Sequence, residues 1–217
     1  MPGQPHNFSP DATLSQGIDR LCLSLDAGVQ RQLLEYVALL AKWNRVYNLT
    51  GNKTREQMIV QHLLDSLSVA PWLQGPRIAD IGTGAGLPGI PLALARPGFS
   101  FVLVDTQQKK TRFVRQAMIE LGLTNVEVVQ ARAADYRPPA LFTTVVSRAF
   151  ASAADFVREA GHLCAPDGLI LAMKGRYPET ELKEIPEPYR VVAVTEVTVP
   201  GLDAERHLIQ IQSANLT

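Results

Sequence analysis

RIADIGTGAGLPGIP, residues 77–91, decides the fold of this chain. Arg77 to Ile81 reads as a strand. Four glycines then fall within eight residues, at 82, 84, 86 and 89. Pro88 and Pro91 follow, where the first turn of a helix tolerates a missing N–H. A strand, a glycine-rich turn and a helix N-terminus together form a site for a nucleotide-type ligand. Glycine lets the backbone approach the ligand closely, and the free N–H groups of the helix end can bond it.

Spacing separates three ligands for such a turn. A phosphate-cradling loop needs Lys and Ser/Thr after its last glycine; Ile90 and Pro91 stand there instead. The dinucleotide fingerprint GxGxxG fails from Gly82, because Leu87 occupies the third glycine position. It fits only from Gly84, too late after the strand. An acid at the strand end followed by GxGxG does fit: Asp80, Gly82, Gly84, Gly86. That is the S-adenosyl-L-methionine (AdoMet) pattern of Rossmann-like methyltransferases. AdoMet carries a sulfonium and an amino group, so a nearby acid suits it and would oppose a pyrophosphate.

Downstream, Ser100 to Asp105 reads as a buried strand ending in an acid. Asp105 lies 23 residues after Gly82, where a second-strand acid meets a ribose diol. A helix is expected from about Gln107 to Leu121, with Phe113, Val114, Ala117 and Leu121 inward. Its outer face carries Lys109, Lys110, Arg112 and Arg115, with no acid before Glu120. Strands are expected at 126–130, 142–146 and 169–173, a helix at 153–163, and two final strands at 189–199 and 207–212. The short connection between those two makes them antiparallel neighbours. Alternating strand and helix units with a terminal antiparallel hairpin specify an α/β, Rossmann-like class I AdoMet-dependent methyltransferase sheet. The strand ends gather Gly82, Asp105, Ala131 to Asp135, Arg148 and Lys174 at one crevice.

Upstream, residues 1 to about 12 read as disordered, and Leu14 to Leu25 as a short helix. Leu33, Leu34, Val37, Leu40 and Ala41 keep helical spacing from Asp26 onward, with Gly51 as a stop. Thr54 and Gln57 form a capping box for another helix, carrying Met58, Ile59, Leu63, Leu64 and Leu67. Residues 1–70 are therefore expected to be an N-terminal helical cap on a methyltransferase domain spanning 71–217. Trp43 and Tyr47 belong to the packing of that cap.

The 217 residues are 46% hydrophobic with zero formal charge, and the pI is near 6.9. A generally basic surface is excluded, so nucleic acid would have to meet a local patch. Two cysteines, Cys22 and Cys164, make no disulfide framework. No apolar signal core or membrane-length run is present, and the chain reads as cytoplasmic. His6, His62, His162 and His207 have no ligand spacing with cysteine, so no metal is expected.

Six ordered motifs carry a family resemblance: Asn48-Leu49-Thr50, His62 to Leu67, Asp80 to Ala93, Ser147 to Phe150, Lys174-Gly175 and Glu205-Arg206-His207. Together, from about Trp43 to Ile211, the chain resembles the RsmG (GidB) family of bacterial 16S rRNA guanine-N7 methyltransferases. The resemblance implies AdoMet as methyl donor and a guanine in a decoding-region loop of 16S rRNA as target, in free rRNA or an assembly form of the small subunit. It carries cofactor contacts onto Gly82, Leu87, Ala133, Ala134 and Arg148, beside the Gly84, Gly86 and Asp105 read from the residues. Ala134 stands where many relatives have an acid facing the adenine amine, so that contact falls to backbone.

Guanine N7 is an unprotonated lone pair and needs no general base. No catalytic acid or base is expected, which agrees with the absence of an NPPY-type motif and of a Pro-Cys nucleophile. Lys109, Lys110, Arg112 and Arg115 are the candidate RNA patch, helped by Lys53, Arg55 and Arg176; Arg148 and Lys174 are placed to orient the target base or its phosphates. Two other readings stay open at this point. One is a small-molecule methyltransferase with a closing cap, and the other a non-enzymatic AdoMet- or RNA-binding regulator.

Overall fold

A computed structural model describes residues 9–51 and 53–214. The helical elements are α1 (Pro10–Arg20), α2 (Ala27–Tyr47), α3 (Arg55–Met58), α4 (Asp65–Leu67), α5 (Gly89–Ala95), α6 (Gln108–Leu121), α7 (Ala153–Ala160) and α8 (Glu179–Leu182). The strands are β1 (Arg77–Ile81), β2 (Ser100–Asp105), β3 (Val126–Gln130), β4 (Phe142–Ser147), β5 (Cys164–Lys174), β6 (Tyr189–Glu196) and β7 (His207–Ser213).

The strands form one sheet in the order β3-β2-β1-β4-β5-β7-β6. β1 to β5 run parallel, and β7 lies antiparallel between β5 and β6. Side chains alternate across the pleat. Along β1, Ile78 joins the core under α1, α2, α5 and α6, while Ala79 and Ile81 join the core under α7. Leu14, Leu33, Leu40 and Leu63 of the N-terminal helices share the first core with Ile90 and Phe113. Those helices therefore sit on the sheet's helical layer in one continuous apolar contact, which excludes water from behind the glycine turn. The order reverses at β1, between β2 and β4, and the carboxyl ends there open the crevice that such sheets use for ligands.

Several boundaries differ from the sequence reading. α1 begins at Pro10, capped by the Ser9 hydroxyl, and ends at Arg20, so residues 10–12 are helical; residues 1–8 and His6 lie outside the described residues. Proline at the first helical position and aspartate in the first turn favour that earlier start. α2 is terminated by Asn48 in the left-handed conformation, φ 46°, three residues before Gly51. Asparagine tolerates that conformation because its side chain bonds locally. The Thr54–Gln57 capping box is present. The helix it opens changes to a π-helical stretch at Ile59–Leu64 before closing as α4. The 153–163 helix ends at Ala160 and continues as a tight turn over Gly161–Leu163. β5 starts five residues earlier than Leu169, and β6 stops at Glu196 rather than Val199.

Candidate functional site

The glycine turn is held from three sides. The amides of Gly82 and Thr83 donate to the Val104 carbonyl of β2 at 2.8 and 3.1 Å. From β1, Asp80 accepts the Thr83 hydroxyl at 2.6 Å and the Gly89 amide at 2.8 Å. From α2, the Tyr36 hydroxyl donates to the Ala85 carbonyl at 2.7 Å, fully buried. Gly82 (φ 69°) and Gly86 (φ 90°) occupy conformations that a side chain would strain. A Cβ on Gly82 would stand 2.7 Å from the Ala149 Cβ, and one on Gly86 would run into Ile90.

Asp80 corrects an expectation. The acid before the turn lines none of the cavities at the strand ends. It is fully buried, and one of its oxygens holds Thr83 and Gly89. Burial pushes its carboxyl up from the ordinary 3.8 to about 6, opposed by those two hydrogen bonds and by Arg148. The folded chain thus binds this proton more tightly than the unfolded chain. The group's contribution to stability is complete below about pH 4 and is lost as pH rises through about 6. Urea unfolding should show Asp80→Asn gaining stability, relative to the native chain, as pH rises across that window. A difference independent of pH would refute it.

Beyond the turn, a cavity of about 670 Å³ opens at the ends of β1, β2 and β3. Ile81, Val104, Ala133 and Phe150 supply apolar wall, and Gly82 brings bare backbone. Three carboxylates, Asp105, Asp155 and Glu159, line it against two cations, Lys110 and Arg132. The Asp105 carboxylate accepts the Gly84 amide at 2.9 Å and the Gln107 amide at 2.8 Å, and lies 4.0 Å from Lys110 Nζ. Each oxygen keeps lone-pair capacity for a further donor.

On the side toward α3 and α4 lies a second cavity, of about 350 Å³, with the opposite charge. Lys53, Arg148, Lys174 and Arg206 line it against a single acid, Asp65. Asp65 is buried and takes Arg148 Nη1 at 3.0 Å on one oxygen and Arg206 Nε at 2.7 Å on the other. Lys174 is tied to Glu181 at 2.8 Å and to the Ala151 carbonyl at 2.6 Å. A small cavity of about 250 Å³ joins the two regions. It shares Gly82 and Ala149 with the first, and His62 and Arg148 with the second.

The expected residues divide accordingly. Gly82, Asp105, Ala133 and Lys110 line the large cavity. Gly84, Leu87 and Arg148 line the joining cavity. Gly86 is buried against Ile90, and Ala134 offers its carbonyl to Arg137 at 2.6 Å. Lys174 lines the basic cavity with Lys53. Lys109, Arg112 and Arg115 are exposed on α6, and Arg115 reaches the Val128 carbonyl at 3.2 Å. Sequence reasoning assigned no role to Tyr36, Gln61 or Arg206, or to Asp155 and Glu159. For Arg206 and Asp65 a signal existed, since both lie in ordered motifs. Tyr36 gave none, because its partner is 49 positions away. Among the described residues, no group of three or more His, Cys, Asp or Glu is arranged to hold a metal.

A family model described as GidB, rRNA small subunit methyltransferase G, matches residues 29–209. A ribosomal RNA small subunit methyltransferase G of Nitrosococcus oceani is 51% identical over 199 residues, covering 92% of this chain and 93% of that one. One from Nitrosospira multiformis is 50% identical over 214 residues, covering 95% and 99%. The fold is also similar to a crystal structure of a SAM-dependent methyltransferase from Thiobacillus denitrificans in complex with S-adenosyl-L-homocysteine. Its TM-score is 0.53 at 14% identity, covering 81% of this chain and 98% of that one.

Proposed function

The chain belongs to the GidB family of rRNA small subunit methyltransferases G, and from that premise we propose that it transfers the methyl group of AdoMet to N7 of a guanine in the decoding-region loop of 16S rRNA. The observation that carries this reading is a pair of oppositely charged cavities meeting at Gly82 and Ala149. The acidic cavity suits AdoMet, whose sulfonium and amino group outweigh its one carboxylate. Gly82 brings bare backbone to the wall that the cavities share, where a Cβ would run into Ala149. The basic cavity suits a nucleotide with its phosphates.

In this reading Gly82, Gly84 and Leu87 hold the amino-acid end of the donor, Asp105 the ribose hydroxyls, and Ala133 with the Ala134 backbone the adenine. Gly86 shapes the turn that carries these contacts. AdoMet supplies a methyl group on a sulfonium leaving group. The protein orients N7 toward it and excludes water; no group needs to take a proton, because N7 carries none. Arg148 borders the joining cavity and turns the target nucleotide toward the donor, with Lys174 beside its phosphates. The described helices of the 1–70 segment act as a cap over the domain assigned to 71–217, since Tyr36 and Asp65 tie them to the turn and to the basic cavity. The exposed cations of α6, Lys109, Arg112 and Arg115, with Lys110 at the cavity edge, meet flanking RNA. No helix among the described residues is long and apolar enough to cross a membrane, and the reaction belongs in the cytoplasm, with the rRNA.

Labelled AdoMet should be offered deproteinised 16S rRNA, isolated small subunits and small-molecule extracts. Label is expected on one guanine of the rRNA, either free or in the particle. Label only in small molecules, or none in any pool, would sink the reading. Lys109→Glu with Arg112→Glu is expected to weaken RNA binding about tenfold or more and to flatten its salt dependence, with AdoMet affinity unchanged. Calorimetry for AdoMet and filter binding for RNA separate the two effects.

A further inference from the structure

His62 stands where the acidic and basic sides meet. It lines the joining cavity with Gly82 and Arg148, and the basic cavity with Arg206 and Lys174. The residue is 5% exposed. The π-helical stretch sets its chemistry. The Asp65 amide bonds the carbonyls of Val60 and His62, not the Gln61 carbonyl that an α-helix would use. The Gln61 carbonyl accepts Arg148 Nη1 at 3.2 Å and lies 3.0 Å from His62 Nδ1. A carbonyl can only accept, so Nδ1 carries the proton. Nε2 is then a bare lone pair, buried and without a partner. The side chain lines both cavities while Nε2 itself is closed to solvent; such an unsatisfied acceptor is costly unless the ring turns to let a ligand supply its donor.

We propose that His62 reads the target base, its Nε2 accepting a hydrogen bond from the N1–H or exocyclic amine edge of guanine. The proposal rests on the rRNA methylation reading above. With N7 turned to the methyl donor, the donor edge of the base faces away from it and needs an acceptor in the pocket wall. Adenine presents a lone pair at N1 and no 2-amine, so it would oppose Nε2. Burial, then the Arg148 charge, hold the imidazole down at about 4, so it stays neutral and accepting at physiological pH. Nearby charges are Arg148, Lys53 and Asp65; Lys53 is itself bonded to Gln61 Oε1.

The test compares native chain, His62→Phe and His62→Gln on ligated 16S rRNA carrying guanine, inosine or 2-aminopurine at the methylated position. Inosine lacks the amine, and 2-aminopurine lacks N1–H and O6, while N7 remains in both. The native chain should lose about ten- to a hundredfold in kcat/KM on the analogue that lacks the bonded donor. His62→Phe, which keeps the ring shape, should be slowed on guanine and should lose that discrimination. His62→Gln, which keeps an acceptor, should recover part of it. Equal discrimination by native and Phe chains on both analogues overturns the proposal, as does a fall in AdoMet affinity that accounts for the lost rate. If Phe fails to fold, the comparison rests on Gln, where an unchanged guanine rate together with native discrimination supports an acceptor role. Loss of rate in Gln equally on all three RNAs overturns it. No methylation of guanine RNA by the native chain overturns the underlying reading as well.

Discussion

Gly82→Val is expected to weaken AdoMet binding by at least about a hundredfold while the chain still folds. Gly82 has φ 69°, a conformation costing a side chain roughly 1–2 kcal/mol and more when it is β-branched. The added Cβ would also stand 2.7 Å from the Ala149 Cβ. Relief requires the turn to move, and the turn has little freedom. The Gly82 and Thr83 amides are fixed to Val104, and Gly84 to Asp105. Any shift therefore displaces the Asp105 carboxylate that lines the large cavity. Gly51→Val is the control. Gly51 has φ 72° with no atom within 4 Å of its would-be Cβ, so it carries the backbone strain without the clash. Isothermal titration should show near-native AdoMet affinity there. Matched losses in the two variants would mean that strain alone, and not the clash, explains Gly82.

Asp65→Ala should reduce rRNA methylation about a hundredfold and lower stability by about 2–4 kcal/mol, with AdoMet affinity held within about threefold. Among the described residues, Asp65 is the only acid lining a cavity of four cations. It fixes Arg148 and Arg206 through separate oxygens. Removing it leaves two guanidinium groups, each about a quarter exposed, facing one another without a counter-ion. Partial exposure tempers the stability cost and leaves the loss of orientation. Adding Arg206→Met should recover stability, because the uncompensated charge is gone, without recovering activity. Parallel urea unfolding and single-turnover methylation would measure both. Recovered activity in the double variant would show that Asp65 serves packing alone.

The parts of the fold that sequence resolved are those with local causes. The glycine turn, the acid closing β2 and the antiparallel end of the sheet all follow from short-range pattern. Asp80 turns away from the crevice because strand alternation places it on the Ile78 face. The π-helical stretch is hidden because Ile59, Leu63 and Leu64 keep apolar spacing that suits either winding. The polar ties across the cap depend on tertiary approach. Asp65 and Arg206 are 141 positions apart, and no periodicity joins them. The candidate site was thus legible where one strand-turn-helix unit builds it. Where three distant segments meet, at Asp65, Arg148 and Arg206, each residue lies in an ordered motif but nothing in the sequence pairs them.

The opposed charge of the two cavities bears on how the reaction finishes. Methylation at N7 moves one unit of positive charge from the sulfonium to the guanine ring. On the proposed assignment of the two chambers, that unit leaves one lined by more acids than bases and arrives beside Arg148 and the other cations of its neighbour. The spent donor, now uncharged at sulfur, loses attraction to the walls that favoured it. The modified base acquires repulsion from the walls that drew its phosphates. On that assignment the products themselves bias turnover forward, through a charge gradient built into the floor of the crevice.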